Sequence, residues 1–329
     1  MSGTTQKRTL TALKRFIVSK TAAMILLFIL LSAAFAIISK GIFIKPKNLV
    51  NILSSMAISA FLTEGVALLM ISGKLDLSTG ASGTLCGMFL AYILRAGFPL
   101  IPALVVTIVL GAVIGFINAL VVNSMDIAPF IATLATSSVM TGFIYLIANK
   151  KTIDVSNPVL KYYGKGMLFD YVPVSALVAF AAMVVIGIIL HKTEFGRNIY
   201  LVGGNPTAAM LAGVNPKKMS YILFSTCGFF SALAGITLVS RLQSASITGI
   251  SAQRFQGITA AVLGGISFGG GSGGMAGAFV GLLILSTFSN GLTVIGVSPH
   301  WQNVASGLLL LFALTLDVLN EKRITNTVA

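Results

Sequence analysis

Apolar runs long enough to cross a lipid bilayer recur from Thr21 to Val318, separated by short polar segments. Runs of this length leave little choice of fold, because backbone polar groups in hydrocarbon must be satisfied within the segment that carries them, and a helix does this. A cleaved secretory leader does not account for the pattern, since the runs continue through the whole chain. Only 9% of the 329 residues are charged and 56% are hydrophobic, against about 25% charged in a soluble domain.

Breaks at Lys/Arg, Gly and Pro divide the runs into about ten stretches: 21–39, 49–71, 79–95, 99–122, 127–149, 172–191, 219–240, 256–268, 275–292 and 299–318. The predicted fold class is all-α, a polytopic membrane protein of about ten transmembrane helices. The stretches 79–95 and 256–268 are short and rich in Gly or Ser, so they are expected to be broken or re-entrant. Gly65 to Leu94 and Gly257 to Ser286 read alike: an apolar helix, a polar break ("SGKLDLSTG" or "GGISFGGGSGG"), then a helix of small residues. Two loosely repeated halves, each with an interrupted segment, follow from that likeness.

Lys7, Arg8, Lys14, Arg15 and Lys20 precede the first run with no acid among them, which places an N-terminal tail, 1–20, in the cytoplasm. Ten crossings of a membrane domain, 21–318, return the tail 319–329 to the same side. Lys40, Lys45, Lys47, Lys150, Lys151, Lys161 and Lys165 then lie outside, against the usual bias. On this topology 192–218 is the longest internal cytoplasmic loop. Asn205 and Pro206 are a helix start, Gly213 a stop, and Asn215-Pro216 prevents continuation. The result is a helix of about two turns, too short to stand alone in water. It must dock on a partner or on its own membrane domain.

Several function classes are excluded. The net charge of +14 is scattered between the runs rather than clustered, which argues against nucleic acid as a partner. Cys86 and Cys227 lie in apolar segments and suggest neither a disulfide nor a metal site. "GGGSGG" at 269–274 fits a dinucleotide fingerprint by count alone, with no acid before Asp317. No P-loop motif occurs, so ATP can drive this chain only through another one. Glu64 lies well inside an apolar run, where a carboxyl serves a substrate or proton path or a structural hydrogen bond. Lys74 and Asp76 in the first break are expected to form a local ion pair. Asn118 can bond across helices or face a path. Phe130, Thr133, Thr136 and Ser137 give the helix after Pro129 a hydroxylated stripe with an aromatic at its mouth. The pairs Gly111/Gly115 and Gly277/Gly281 are read as close helix packing.

"SGKLDLSTG" resembles a G-G-x-D-L-S-x-G signature, and "APFIATLATSSVMTGFIYLI" a P-F-[IV]-A-T-L helix. "TEFGRNIYLVGGNPTAAMLAGV" is similar to G-R-x-x-Y-A-V-G-G-N-x-x-A-A-x-x-A-G-[IV]. "ITAAVLGGISFGGGSGGMAGAFVGLLIL" with "NGLTVIGVSPHWQ" looks like a C-terminal block of the same family. These motifs, in this order, resemble the membrane-spanning permease of ribose-type ABC sugar importers. The resemblance implies a non-enzymatic inner-membrane subunit that pairs with a second permease chain, identical or related. It also implies a cytoplasmic ATPase that carries ATP and magnesium, and a periplasmic or lipid-anchored solute-binding protein. No cofactor is implied on this chain. Gly203, Gly204, Asn205, Pro206, Ala208, Ala209, Leu211, Ala212 and Gly213 match the family's ATPase-coupling loop. Glu64, Asp76, Asn118, Phe130, Thr133 and Ser137 are the candidate path residues. Arg254 and Gln256 stand where the family often has acids, and Lys74 where it usually has a neutral residue. With Arg241 they leave open an anionic solute such as a sugar acid, altered contacts to the binding protein, or a partner chain that supplies the acids. The rival reading is an ion-coupled secondary transporter with Glu64 as the coupling carboxylate.

Overall fold

The computed structural model describes residues 20–149, 151–250, 253 and 255–328, with the backbone alone for 20–23, 299, 313 and 316–328. The tail 1–19, Lys150 and Arg254 therefore lie outside the described residues. The helices in chain order are α1 (Lys20–Ile38), α2 (Pro46–Ile71), α3 (Thr79–Arg95), α4 (Leu100–Met125), α5 (Pro129–Ala148), α6 (Pro158–Lys165), α7 (Val174–Lys192), α8 (Glu194–Gly204), α9 (Pro206–Leu211), α10 (Pro216–Leu242), α11 (Gln256–Leu263), α12 (Met275–Val294) and α13 (Pro299–Val328). Among the described residues four two-residue strands interrupt them: β1 (Ile153–Asp154), β2 (Met167–Leu168), β3 (Val172–Pro173) and β4 (Ser244–Ala245). They pair antiparallel as β1 with β4 and β2 with β3, a small departure from an all-α chain. Proline opens α2, α5, α6, α9 and α10, where its missing N–H costs nothing.

Each of the ten predicted stretches contains a helix. Among the described residues six of these, α2, α4, α5, α7, α10 and α12, are long and apolar enough to cross a membrane. The protein is thus a mostly helical, polytopic membrane protein. Ile101, Val105, Val109, Val113, Phe116 and Leu120 form an exposed apolar stripe along α4, as a face turned to lipid requires. The helix α13 runs on to Val328, through the segment read as a tail.

The centre is the pair α2 and α10, the most deeply buried of the six long helices. They run antiparallel. Arg241 at the end of α10 reaches Asn51 and Ser55 near the start of α2, Gly65 packs on Cys227, and Lys74 just past α2 reaches Ser220. Around them the packing is paired: α3 and α4 lie on α10, while α11 and α12 lie on α2. Gly111 and Gly115 of α4 meet Gly228 and Phe224 of α10, and Gly277 and Gly281 of α12 meet Gly264 and Ala260, so both glycine pairs serve close packing.

One of the two short stretches is broken and the other is not. The eight-residue α11 rises only about 12 Å. The chain before it already turns inward: Ile250 is buried and its amide donates to Thr84 Oγ1 at 2.9 Å. By contrast α3 is one continuous helix. Its Gly83 and Gly87 let it approach Ser231 and Gly235 of α10, and the break lies before it, at 72–78.

Candidate functional site

Three irregular backbones converge at the end of the molecule that carries α8 and α9. They are the break after α2 (72–78), the break after α11 (264–274) and the α8–α9 corner. Both breaks begin with the same cap. Gly73 adopts φ +76° while the Lys74 amide donates to Leu69 O at 2.9 Å; Gly265 adopts φ +85° while the Ile266 amide donates to Ala261 O at 3.0 Å. A left-handed residue after the helix returns the chain to satisfy its last carbonyls, and glycine does so without a Cβ penalty. These are the glycines that the two similar sequence stretches align.

The corner is wedged against both breaks. The Gly271 amide donates to Ile71 O at 2.8 Å. A Cβ on Gly203 would collide with that same carbonyl, and one on Gly270 would lie 2.8 Å from Gly73 Cα. Tyr200 of α8 adds a side-chain tie, its Oη donating to Gly273 O at 2.7 Å. Burial pushes the Tyr200 phenol above its ordinary value.

Where the sequence predicts one short helix in this loop, the structure has two. The helix α8 starts at Thr193, whose Oγ1 accepts the Gly196 amide at 3.2 Å, with Glu194 in its first turn. Phe195, Ile199 and Val202 fall on its inner face and are packed into the main core. That Thr cap and 195/199/202 spacing were the available signal, masked by Gly196, Gly203 and Gly204. The predicted helix is α9. Asn205 Oδ1 accepts the Thr207 and Ala208 amides, each at 3.0 Å, and Gly213 at φ +82° ends it as the Val214 amide returns to Ala209 O at 2.9 Å. Only Ala209 of the predicted coupling residues points fully inward. Gly204, Asn205, Pro206, Ala208, Leu211, Ala212 and Gly213 are exposed, and Leu211 reaches 88% exposure with Met210 beside it.

Of the six candidate path residues the structure brings three together. Asp76 Oδ1 accepts the Ser78 amide at 2.7 Å and the Ser78 hydroxyl at 2.6 Å. Asn118 Nδ2 donates to Ser78 Oγ at 2.8 Å and to Asp76 Oδ2 at 3.3 Å. Thr133 Oγ1 accepts the Leu77 amide at 3.0 Å and donates to Pro129 O at 2.8 Å. The cluster pins the first break to α4 and α5. The expected Lys74–Asp76 ion pair is absent. Each side chain has neutral partners of its own instead: Asp76 turns to Ser78 and Asn118, and Lys74 Nζ donates to Ser220 Oγ at 2.8 Å and Asn123 Oδ1 at 3.3 Å. Among the described residues the one ion pair is Arg197–Glu194, on the exposed side of α8.

The other three stand apart. Glu64 is fully buried in α2 and neither carboxyl oxygen has a hydrogen-bond partner. Phe130 is exposed and Ser137 buried. The hydroxyl groups that α5 leaves exposed are Ser138, Thr141 and Tyr145, one helix face away from the predicted stripe.

Comparison with known proteins points to one kind of protein. The family described as branched-chain amino acid transport system, permease component, matches residues 48–314. The ribose import permease protein RbsC of Bacillus subtilis (strain 168) is 36% identical over 277 residues, covering 84% of this chain and 86% of its own. The fructose import permease protein FrcC of Rhizobium meliloti is 32% identical, covering 94% and 89%. The galactose/methyl galactoside import permease protein MglC of Escherichia coli (strain K12) is 30% identical, covering 98% and 99%. No solved structure matches the chain. With glycine-held breaks, a capped external helix and likeness along most of its length, the chain belongs to the permease family that forms the non-catalytic membrane component of ABC sugar importers.

Proposed function

We propose that α9 and the outer side of α8 are the docking surface for a cytoplasmic ABC ATPase, and that the α8–α9 corner passes its movement directly to the two breaks. The observation that carries this reading is the double contact of one short element. Met210 and Leu211 are exposed on α9, while Gly203 at the end of α8 packs against the backbone of both breaks. An apolar face on a helix of only six residues, left open to water, is costly unless a partner covers it. The end bearing α8 and α9 is then cytoplasmic, as are both termini, and all ten stretches belong to the membrane domain.

Two such chains, or one with a related partner, enclose the path for a sugar or sugar-like solute delivered by a binding protein on the opposite side. Binding and hydrolysis of ATP with magnesium on the ATPase drives alternating access. The reciprocal packing of α3 and α4 on α10, and of α11 and α12 on α2, supports two repeated halves related through the central antiparallel pair. Asp76, Asn118 and Thr133 hold the first break in shape. The Ser138, Thr141 and Tyr145 face of α5 faces the solute, with Phe130 at its cytoplasmic end. The ion-coupled alternative built on Glu64 loses its footing in a family of ATP-driven importers.

Leu211→Glu tests the docking surface, because the side chain is exposed and its replacement strains no internal packing. In proteoliposomes holding the assembled importer, solute uptake should fall at least tenfold while the permease alone stays folded. Unchanged uptake and unchanged ATPase binding would remove the assignment. Ala209 is unsuitable for this test, since an acid there would be buried.

A further inference from the structure

At the end opposite α8 and α9, a cavity of about 890 Å³ opens between the first turns of α2, the α6–β2 turn, the β2–β3 hairpin and the last turn of α10. Its lining carries four cations, Lys45, Lys47, Lys165 and Arg241, against one carboxylate, Asp170. None of the five is in an ion pair among the described residues. Arg241 is the built part of the site. It is half-buried, its Nη1 donates to Ser55 Oγ at 2.9 Å and its Nη2 to Asn51 Oδ1 at 2.7 Å.

Those two bonds fix the plane of the guanidinium with neutral partners. A guanidinium has five N–H donors. The remaining ones have no acceptor among the described residues. A positioned guanidinium with unused donors, backed by three ammonium groups, matches the fork of a carboxylate or phosphate far better than it matches neutral hydroxyls. The cavity lies in the size range of small-molecule sites, about 300–1,000 Å³, and has room for a monosaccharide.

We propose that this cavity is an anion-selective vestibule, and that the solute it admits carries a carboxylate or phosphate, with Arg241 as the specificity-determining residue. The inference rests on the importer reading above and narrows its solute from sugars in general to acidic or phosphorylated ones. The same chemistry is carried by an anionic lipid headgroup, so the test separates the two sources.

The intact chain, purified in an uncharged detergent, is titrated calorimetrically with galacturonate, gluconate, galactose 6-phosphate and galactose. The same titrations are run on Arg241→Gln, which can keep one neutral hydrogen bond without the charge, and on Lys165→Gln, an exposed change that spares the packing. At least one anionic probe should bind ten times more tightly than galactose, weaken as salt is raised, and lose at least tenfold in Arg241→Gln. Lys165→Gln should lose about two- to fivefold with its melting temperature unchanged, which keeps the test open if Arg241→Gln does not fold. Equal binding of galactose, or no binding of any anionic probe, overturns the proposal. So does a response confined to nanodiscs containing phosphatidylglycerol, which assigns the cations to headgroups. No ATPase is present in these titrations, so their outcome and that of the Leu211→Glu uptake test are independent.

Discussion

Two buried polar residues of the central region, Glu64 and Asn118, carry opposite expectations. Glu64 has no partner for either oxygen and so contributes no bond that a substitution can break. Gln has the same shape and carries no charge, so Glu64→Gln should leave ATP-driven uptake within twofold, measured in proteoliposomes with and without an uncoupler. Uptake abolished by Gln would return Glu64 to the transport cycle. Asn118 donates to both Ser78 Oγ and Asp76 Oδ2, and its loss strips a buried carboxylate of one of three donors. Asn118→Ala should destabilise the membrane domain by about 1–3 kcal/mol, read as a lowered thermal unfolding midpoint in detergent. Sequence pointed to both residues because polar groups in apolar runs stand out. It was silent on which had partners, since Ser78 and Asn118 meet only once α4 packs beside the break. Lys74 and Asp76 show the converse: near neighbours in sequence, they bond to different partners, Lys74 to Ser220 and Asn123 and Asp76 to Ser78 and Asn118.

At the scale of the element, α9 was readable almost to the residue and α8 was not. Asn205, Pro206, Gly213 and Asn215 act within a few residues of themselves, so their meaning survives without knowledge of the fold. The helix α8 instead depends on burying Phe195, Ile199 and Val202 under its own membrane domain, and its three glycines conceal that propensity. The caps of α9 give a graded test. Asn205→Ala removes the acceptor of two amides and should cost about 1 kcal/mol of local helix stability. That fraction of order has to be restored on docking, so ATPase affinity should weaken about fivefold while the melting temperature of the membrane domain barely moves. Gly213→Ala, which forces an L side chain into φ +82°, should act in the same direction by about 1–2 kcal/mol. Titration of labelled ATPase onto the purified permease measures both. An equal loss of membrane-domain stability would mean that α9 serves the core instead of the partner.

For the whole molecule the question is how movement at an external corner reaches the middle of a bilayer. Segments distant in sequence, ending at Gly73, Gly203 and Gly271, touch through backbone, with no side chain between them to absorb displacement. With the ATPase docked on α9 as proposed, such contact would pass a push on, because packed backbones have few intermediate arrangements. No sequence pattern could announce it: the three glycine-rich stretches were each visible, and their meeting was not. Gly203 and Gly204 separate transmission from docking. A Cβ on Gly203 collides with Ile71 O, whereas one on Gly204 meets nothing within 4 Å. Gly203→Ala should therefore lift the corner off the breaks while leaving the Met210 and Leu211 face intact. ATP hydrolysis by the reconstituted importer should persist within about twofold while solute moved per ATP falls at least tenfold, and Gly204→Ala, which adds its Cβ on the exposed docking side, should leave the solute moved per ATP unchanged. If Gly203→Ala lowers hydrolysis and uptake in the same proportion, the corner only anchors the ATPase, and the path of movement into the membrane has to run through other contacts.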